Sequence, residues 1–320
     1  MYLLIVRRRL MSAYDISNIK PYALVFAPAD ISHDMQDFKL LFKNDNFMHR
    51  RVSQVSELLK CNPQDLFDIK SSKLKLPIMQ HASLALAAGM LGIADHIVNS
   101  YGVPVVAGGI SLGELIAFVI AGSLSVEGLV ENILQSRDEP SGKVEEAVAF
   151  AFFPSDFNIA GALEGLEVNV AVDYGLVQNN STQFAMLSGV RSDINIFSTK
   201  SPGLLEVLPA SKVKAAYHSI FRTKVKNIIE SEILDFIVQD PSFPVISCVE
   251  NLGSITSSKG VISAVCRSQT EKLSVPQLLS ELKKYEVSEI LAIGPFLRTI
   301  NLDWPNPTRF IDNLSALQCL

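Results

Sequence analysis

"GGISLGELIAF", residues Gly108 to Phe118, is the stretch on which the reading of this chain turns. A β-branched run, "VPVVAG" (Val103 to Gly108), precedes it, and an apolar helical pattern ending near Gly122 follows. Such a run is the mark of a strand covered on both faces. Gly109-Ile110-Ser111-Leu112-Gly113 fits G-x-S-x-G, in which a serine sits on a sharp strand-to-helix turn and small neighbours relieve crowding. On these residues alone the stretch is either a nucleophile elbow or a tight connection that needs small side chains. As an elbow, it would aim the N–H of Leu112 at a developing oxyanion, and the helix N-terminus would add a favourable partial charge.

The surrounding 320 residues are 48% hydrophobic and 19% charged, enough apolar surface for a large core in one or two domains. A net charge of −5 gives no general affinity for nucleic acid, and no nucleic-acid or membrane partner is expected. Cys61, Cys248, Cys266 and Cys319 are dispersed, as are the five histidines, so no metal-ligand spacing is present. With no secretory signal in view, that cysteine usage points to the cytoplasm. "MYLLIVRRRL" is apolar before basic, the reverse of a signal peptide, and too short to span a bilayer. Residues 1–19 read as a disordered extension. The longest apolar tract, Ala82 to Ile93, reads as a buried helix.

Working outward, Tyr22 to Ala27 reads as a buried strand and Phe47 to Lys60 as a helix with Phe47, Val52, Val55 and Leu58 inward. A long helix begins beside Pro77, and Ser125 is placed to cap "VEGLVENILQSR". The middle differs. Strands at 147–153, 168–174, 184–189 and 204–210 alternate with a helix capped by Ser155 and another at 192–200, giving β-α-β-β-α-β. A helix from Phe221 to Val238 follows, with strands at "FPVIS" and at Val287 to Gly294. The expected architecture is α/β: a body of residues 20–143 and 211–320, interrupted by a ferredoxin-like α+β subdomain at 144–210.

Extended through its helix, "GGISLGELIAFVIAGSLSVEGLV" resembles the active-site segment of malonyl-CoA:acyl carrier protein transacylases and polyketide synthase acyltransferases, typically G-H-S-x-G-E. "LPIMQHASLALAAGML", "VQNNSTQFAMLSG", "KAAYHSIF" and "SEILAIGPFLRTINL" are similar to further segments of that family, in order. The resemblance covers nearly the whole chain from Tyr22. It implies an α/β hydrolase-like body with a ferredoxin-like subdomain, Ser111 as acylated nucleophile and His218 as its general base. It also implies a main-chain or amide acceptor for the imidazole, with Gln269 in the matching region, and no acidic third member. Acyl-CoA and phosphopantetheinyl acyl carrier protein would be substrates, with no bound cofactor and no metal. An acyl pocket is expected around Ile110, Ser136, Arg137 and Tyr217.

Four departures from the family pattern bear on the substrate. "FAPADISHD" replaces the glycine-rich oxyanion loop, leaving Ala29 as the second N–H donor. Ile110 replaces the histidine before the nucleophile. The carboxylate-binding arginine of extender-unit transferases falls on Ser136, with Arg137 about 100 degrees further round a helix, where only a local bulge would turn it inward. "GPFLR" replaces a more glycine-rich end. The second and third departures favour a neutral acyl group over malonyl. Lys212, Lys214, Arg222, Lys224 and Lys226 form a basic cluster suited to an acidic carrier protein or to coenzyme A phosphates. The leading expectation is an acyltransferase of fatty-acid or polyketide assembly that passes the acyl group to a carrier-protein thiol. The alternatives are an editing acyl hydrolase, and a non-catalytic carrier-binding module.

Overall fold

The computed structural model describes residues 20–69, 73–236 and 239–320. The extension expected over residues 1–19 lies outside the described residues. Eleven strands appear along the described chain: β1 (Tyr22–Phe26), β2 (Val106–Gly109), β3 (Glu146–Pro154), β4 (Val168–Val177), β5 (Thr182–Val190), β6 (Leu204–Val207), β7 (Val245–Ile246), β8 (Ser254–Ile255), β9 (Leu273–Ser274), β10 (Glu289–Ile293) and β11 (Thr308–Ile311).

They form two sheets. The body sheet has the order β11-β10-β1-β2-β7-β8, parallel throughout except for the antiparallel β7–β8 pair. Every residue of β1 and β2 is buried, which explains why these strands read as unbroken apolar runs rather than alternating ones. The apolar helix Ile78–Tyr101 is the one described helix long and apolar enough to cross a membrane, and it lies within the core.

The second sheet has the order β6-β3-β5-β4-β9. From β3 to β6 the elements run β-α-β-β-α-β, with helices Ile159–Ala162 and Arg191–Lys200. The body adds an edge: β9 pairs parallel with β4, aligning Val172 with Leu273 and Asp173 with Ser274. The architecture is α/β, a hydrolase-like body carrying a ferredoxin-like subdomain.

Local boundaries correct several expectations. The first subdomain helix is only four residues long, and Asn158, not Ser155, caps it by accepting from Gly161 N–H. In Asn46–Leu58 the buried positions are Met48, Val52, Val55 and Ser56, with Leu58 exposed, because Asp45 caps the helix and fixes its start. The helix expected over 221–238 is Thr223–Glu232, bounded by 3-10 turns at Ile220–Arg222 and Ile233–Asp235. Residues 237 and 238 lie outside the described residues. Ser125 does cap Val126–Gln135, accepting from Gly128 N–H at 3.0 Å.

The glycines of the G-x-S-x-G turn are required by close approach. A Cβ on Gly113 would overlap the Phe26 carbonyl at the end of β1, and one on Gly109 would overlap the Gly113 backbone. Phe26 O also accepts from Ile110 N–H at 3.1 Å, so the turn is pressed onto the end of β1. Gly113→Ala is therefore expected to destabilise the fold by about 1–3 kcal/mol in urea unfolding. Gly142→Ala, at an exposed glycine with nothing near its Cβ position, should stay within about 0.5 kcal/mol of the parent.

Candidate active site

Ser111 stands between β2 and the helix Leu112–Ile120 with φ 54 and ψ −111. A non-glycine residue in that region is strained, and it persists only where its surroundings over-determine it. Here they do, since Ile110 is tied to β1 and Gly113 leaves room only for hydrogen. Leu112 N–H belongs to the first turn of its helix, where backbone donors have no intrahelical acceptor.

His218 approaches from a separate segment, 107 residues away, and its Nε2 lies 2.9 Å from Ser111 Oγ. Its Nδ1 lies 2.5 Å from the carbonyl oxygen of Ser268. A carbonyl only accepts, so Nδ1 carries the proton and Nε2 presents its lone pair to the serine hydroxyl. Burial holds the imidazole down from 6.5 to about 4; the Ser268 bond opposes that shift and the nearby Arg222 charge adds to it. The ring is thus neutral at physiological pH, the form a general base requires.

His218 also has positive φ, at 53. Two buried carboxylates hold the chain leading into it. Asp138 Oδ1 accepts from Lys214 N–H at 2.9 Å and Ala215 N–H at 3.1 Å, and Glu146 Oε2 accepts from Ala216 N–H at 2.7 Å. Tyr217 O–H donates to Asp138 at 3.3 Å, and Ser219 O–H donates to Ala216 O at 2.6 Å. Glu146 Oε1 ties down the preceding loop through Ser141 N–H and O–H. A third buried carboxylate holds the elbow helix separately. Glu114, buried on the elbow helix, accepts from Ser247 O–H at 2.8 Å and Cys248 N–H at 3.1 Å beyond β7, and burial raises its carboxyl to about 7.

Ser111 and His218 open onto a cavity of about 560 Å³ between the two sheets. Leu112, Ala29, Ser136, Tyr217 and Gln269 line it with them. Ile110 does not; it is fully buried beneath the turn. Arg137 does not either: Ser136 ends its helix as C-cap, and the exposed Arg137 follows outside it. Gln269 is not the atom that orients the imidazole; the acceptor is one residue earlier and on the main chain. Arg222, grouped with surface lysines on sequence grounds, is 2% exposed. Its guanidinium lies over the Tyr217 ring at 5.2 Å and donates to Ser136 Oγ and Glu139 O at 3.4 Å. His33, His49, His81 and His96 make contacts elsewhere, with Phe38, Phe42, Leu66 O and Asp45. Among the described residues no three His, Cys, Asp or Glu side chains group as a metal site.

Asp138, Glu146, Glu114 and Ser268 are the members of the arrangement that sequence reasoning missed. The last acts through its carbonyl, which has no side-chain signature. The carboxylates lie in motif-poor or core segments, except that Glu114 closes the G-H-S-x-G-E resemblance.

No protein-family profile matches the sequence, and no curated protein does. Solved structures do match. The malonyl-CoA:acyl carrier protein transacylase of Synechocystis superposes with a TM-score of 0.76 at 17% identity, over 94% of this chain and 100% of that one. The corresponding Helicobacter pylori transacylase gives 0.79 at 17% identity, covering 93% and 96%. An acyl carrier protein S-malonyltransferase of Vibrio cholerae gives 0.76 at 17%, covering 93% and 99%. The class defined by fold and sheet order is therefore an α/β hydrolase-like body carrying a ferredoxin-like subdomain. More narrowly, the chain has the fold of the malonyl-CoA:acyl carrier protein transacylases.

Two expectations follow from the geometry. The second-order rate of Ser111 labelling by a fluorophosphonate should rise with pH as His218 loses its proton, with its midpoint near 4 rather than 6.5. Full reactivity is then reached by about pH 6, and a midpoint near 6.5 would contradict the burial argument. Asp138→Ala leaves two backbone donors without their acceptor. It should cost about 1–3 kcal/mol in urea unfolding and slow the labelling at neutral pH.

Proposed function

We propose that the chain is a cytoplasmic acyltransferase of fatty-acid or polyketide assembly, using an acyl-CoA or acyl-carrier-protein thioester as donor and a carrier-protein phosphopantetheine thiol as acceptor. The observation that carries the reading is the Ser111–His218–Ser268 chain of hydrogen bonds, opening onto a cavity within a transacylase fold. Ser111 Oγ attacks the thioester carbonyl while its proton passes to His218 Nε2. The oxyanion is met by the N–H groups of Leu112 and Ala29, both of which line the cavity. The C–S bond then breaks, His218 returns the proton to the departing thiolate, and the acyl group remains as an ester on Ser111. In the second half, the carrier thiol gives its proton to His218 and its sulfur takes the acyl carbon. The serine alkoxide leaves and recovers that proton.

Two features favour an uncharged acyl group. Arg137 stands outside the cavity, and the charged residues that line it are Asp30, Glu206 and Lys212, with carboxylates in excess. Arg222 lies behind the wall, and its charge is met by Glu146, Asp138 and Glu139. Lys212 lines the cavity, and it and the nearby Lys214 and Lys224 are exposed, where they would attract an acidic carrier protein. The displaced arginine also suits a second reading, in which water takes the acyl group and the enzyme clears blocked carriers.

Intact-protein mass spectrometry separates these readings. With acyl thioester donors, an adduct on Ser111 that is absent in Ser111→Ala and moves to added carrier protein is the expected result. An adduct lost to free acid without transfer would establish the hydrolase instead.

A further inference from the structure

We infer that the acyl group carried by this site is an extended, apolar, uncharged chain that lies along the aromatic face of the β3–β5–β4 sheet. The inference rests on the acyl-enzyme reading above and assigns that sheet face as its acyl subsite.

A sheet packed in an α+β subdomain needs one apolar face, with the other usually wetted. This one has two. Ala147, Ala149, Ala151 and Phe153 on β3, with Ala185 and Leu187 on β5, pack into the subdomain core with Ile194 and Phe197 of Arg191–Lys200. The alternate positions, Phe150 and Phe152 on β3, Phe184 and Met186 on β5, and Tyr174 on β4, line the cavity that holds Ser111. Period-two alternation makes these opposite faces of one sheet.

The rings of the cavity face form a continuous surface. Phe184 stacks on Phe152 at 4.5 Å and on Tyr174 at 4.4 Å. Phe296, from the "GPFLR" segment, extends it onto the body, 6.3 Å from Phe150 and 5.7 Å from Tyr174. That departure from a glycine-rich end thus places a ring where the surface crosses between sheets. Phe150, Phe152 and Met186 are only half-buried, so apolar area remains for a ligand to cover. The volume of about 560 Å³ falls in the range of pockets that enclose extended small molecules. A two-carbon acyl group would leave most of this surface uncovered, and a carboxylated one would enter a cavity lined by two carboxylates, Asp30 and Glu206, against one ammonium, Lys212.

The test is the kcat/KM of Ser111 acylation by acetyl-, butyryl-, octanoyl-, dodecanoyl- and malonyl-CoA, followed by intact mass. A rise of about two- to fourfold per added methylene between acetyl and octanoyl is expected, with malonyl slower than acetyl. Phe150→Ala should reduce the octanoyl-to-acetyl ratio at least about tenfold. Phe150→Trp and Met186→Trp, which fill the same space without opening the core, should move the optimum to shorter chains. An adduct that forms with no chain-length preference, or with malonyl preferred, overturns this inference and leaves the acyl-enzyme reading standing. Absence of an adduct from every one of these donors and from the matching acyl-carrier-protein thioesters, with Ser111 still labelled by fluorophosphonate, overturns both.

Discussion

The hydrogen bond from Ser111 Oγ to His218 Nε2 joins two backbones that are both held at positive φ, and much of the molecule can be understood as what keeps them there. Neither residue is glycine, so each conformation is paid for by its surroundings. On the serine side the restraint is steric and main-chain: a parallel sheet end, a bond to Phe26 O, and two glycines with no space for a Cβ. On the histidine side it is electrostatic. Asp138 and Glu146 gather three successive backbone N–H groups just before His218, and those donors would otherwise be buried without partners.

The two solutions differ because the two segments differ. Ser111 follows directly from a strand, so regular secondary structure carries it to its place. His218 lies in an irregular connection between the subdomain and Thr223–Glu232, where no ladder supplies acceptors. Side-chain carboxylates replace the ladder. They bring negative charge into the interior, and Arg222 answers it from above the Tyr217 ring. The same guanidinium helps keep His218 unprotonated. Arg222 thus belongs to the positioning network and, after burial, also contributes to the lowered proton affinity of His218.

How much of this was legible in the sequence depends on whether the signal is local. The elbow was, because a covered strand, a crowded turn and an apolar helix write themselves into adjacent residues. The β-α-β-β-α-β order of the subdomain was also legible, although its first helix is shorter than expected and differently capped. The clamp was not. Asp138 and Glu146 sit in "SRDEPSGKVEEA", which has the composition of a solvated loop, and only tertiary contacts bury them. Strand β7 falls within the "FPVIS" run, but β8 and β9 have two residues each, too few to show a period. The Ser268 acceptor was missed by one residue because any residue type can offer a carbonyl. Arg222 was grouped with the lysines around it because charge alone does not reveal which side of a turn faces inward.

The subdomain lines the cavity that holds Ser111, and β9 ties it to the body. Its two residues pair with Val172 and Asp173 of β4, and Pro276, just beyond it, occupies the space where a side chain on Gly175 would lie. Gly175 itself has φ 81, at an irregularity that bends β4 beside Tyr174. The wall opposite Ser111 is thus fastened at the strand that carries Tyr174, while Phe296 reaches the same rings from the body. Hydrogen bonds at β9 and ring contacts at Phe296 both join that wall to the body. A cavity walled in this way discriminates by what can fill it, and an apolar wall cannot satisfy a buried carboxylate. On the acyl-enzyme reading proposed above, the residues that tie the subdomain to the body would therefore also shape the choice of acyl group.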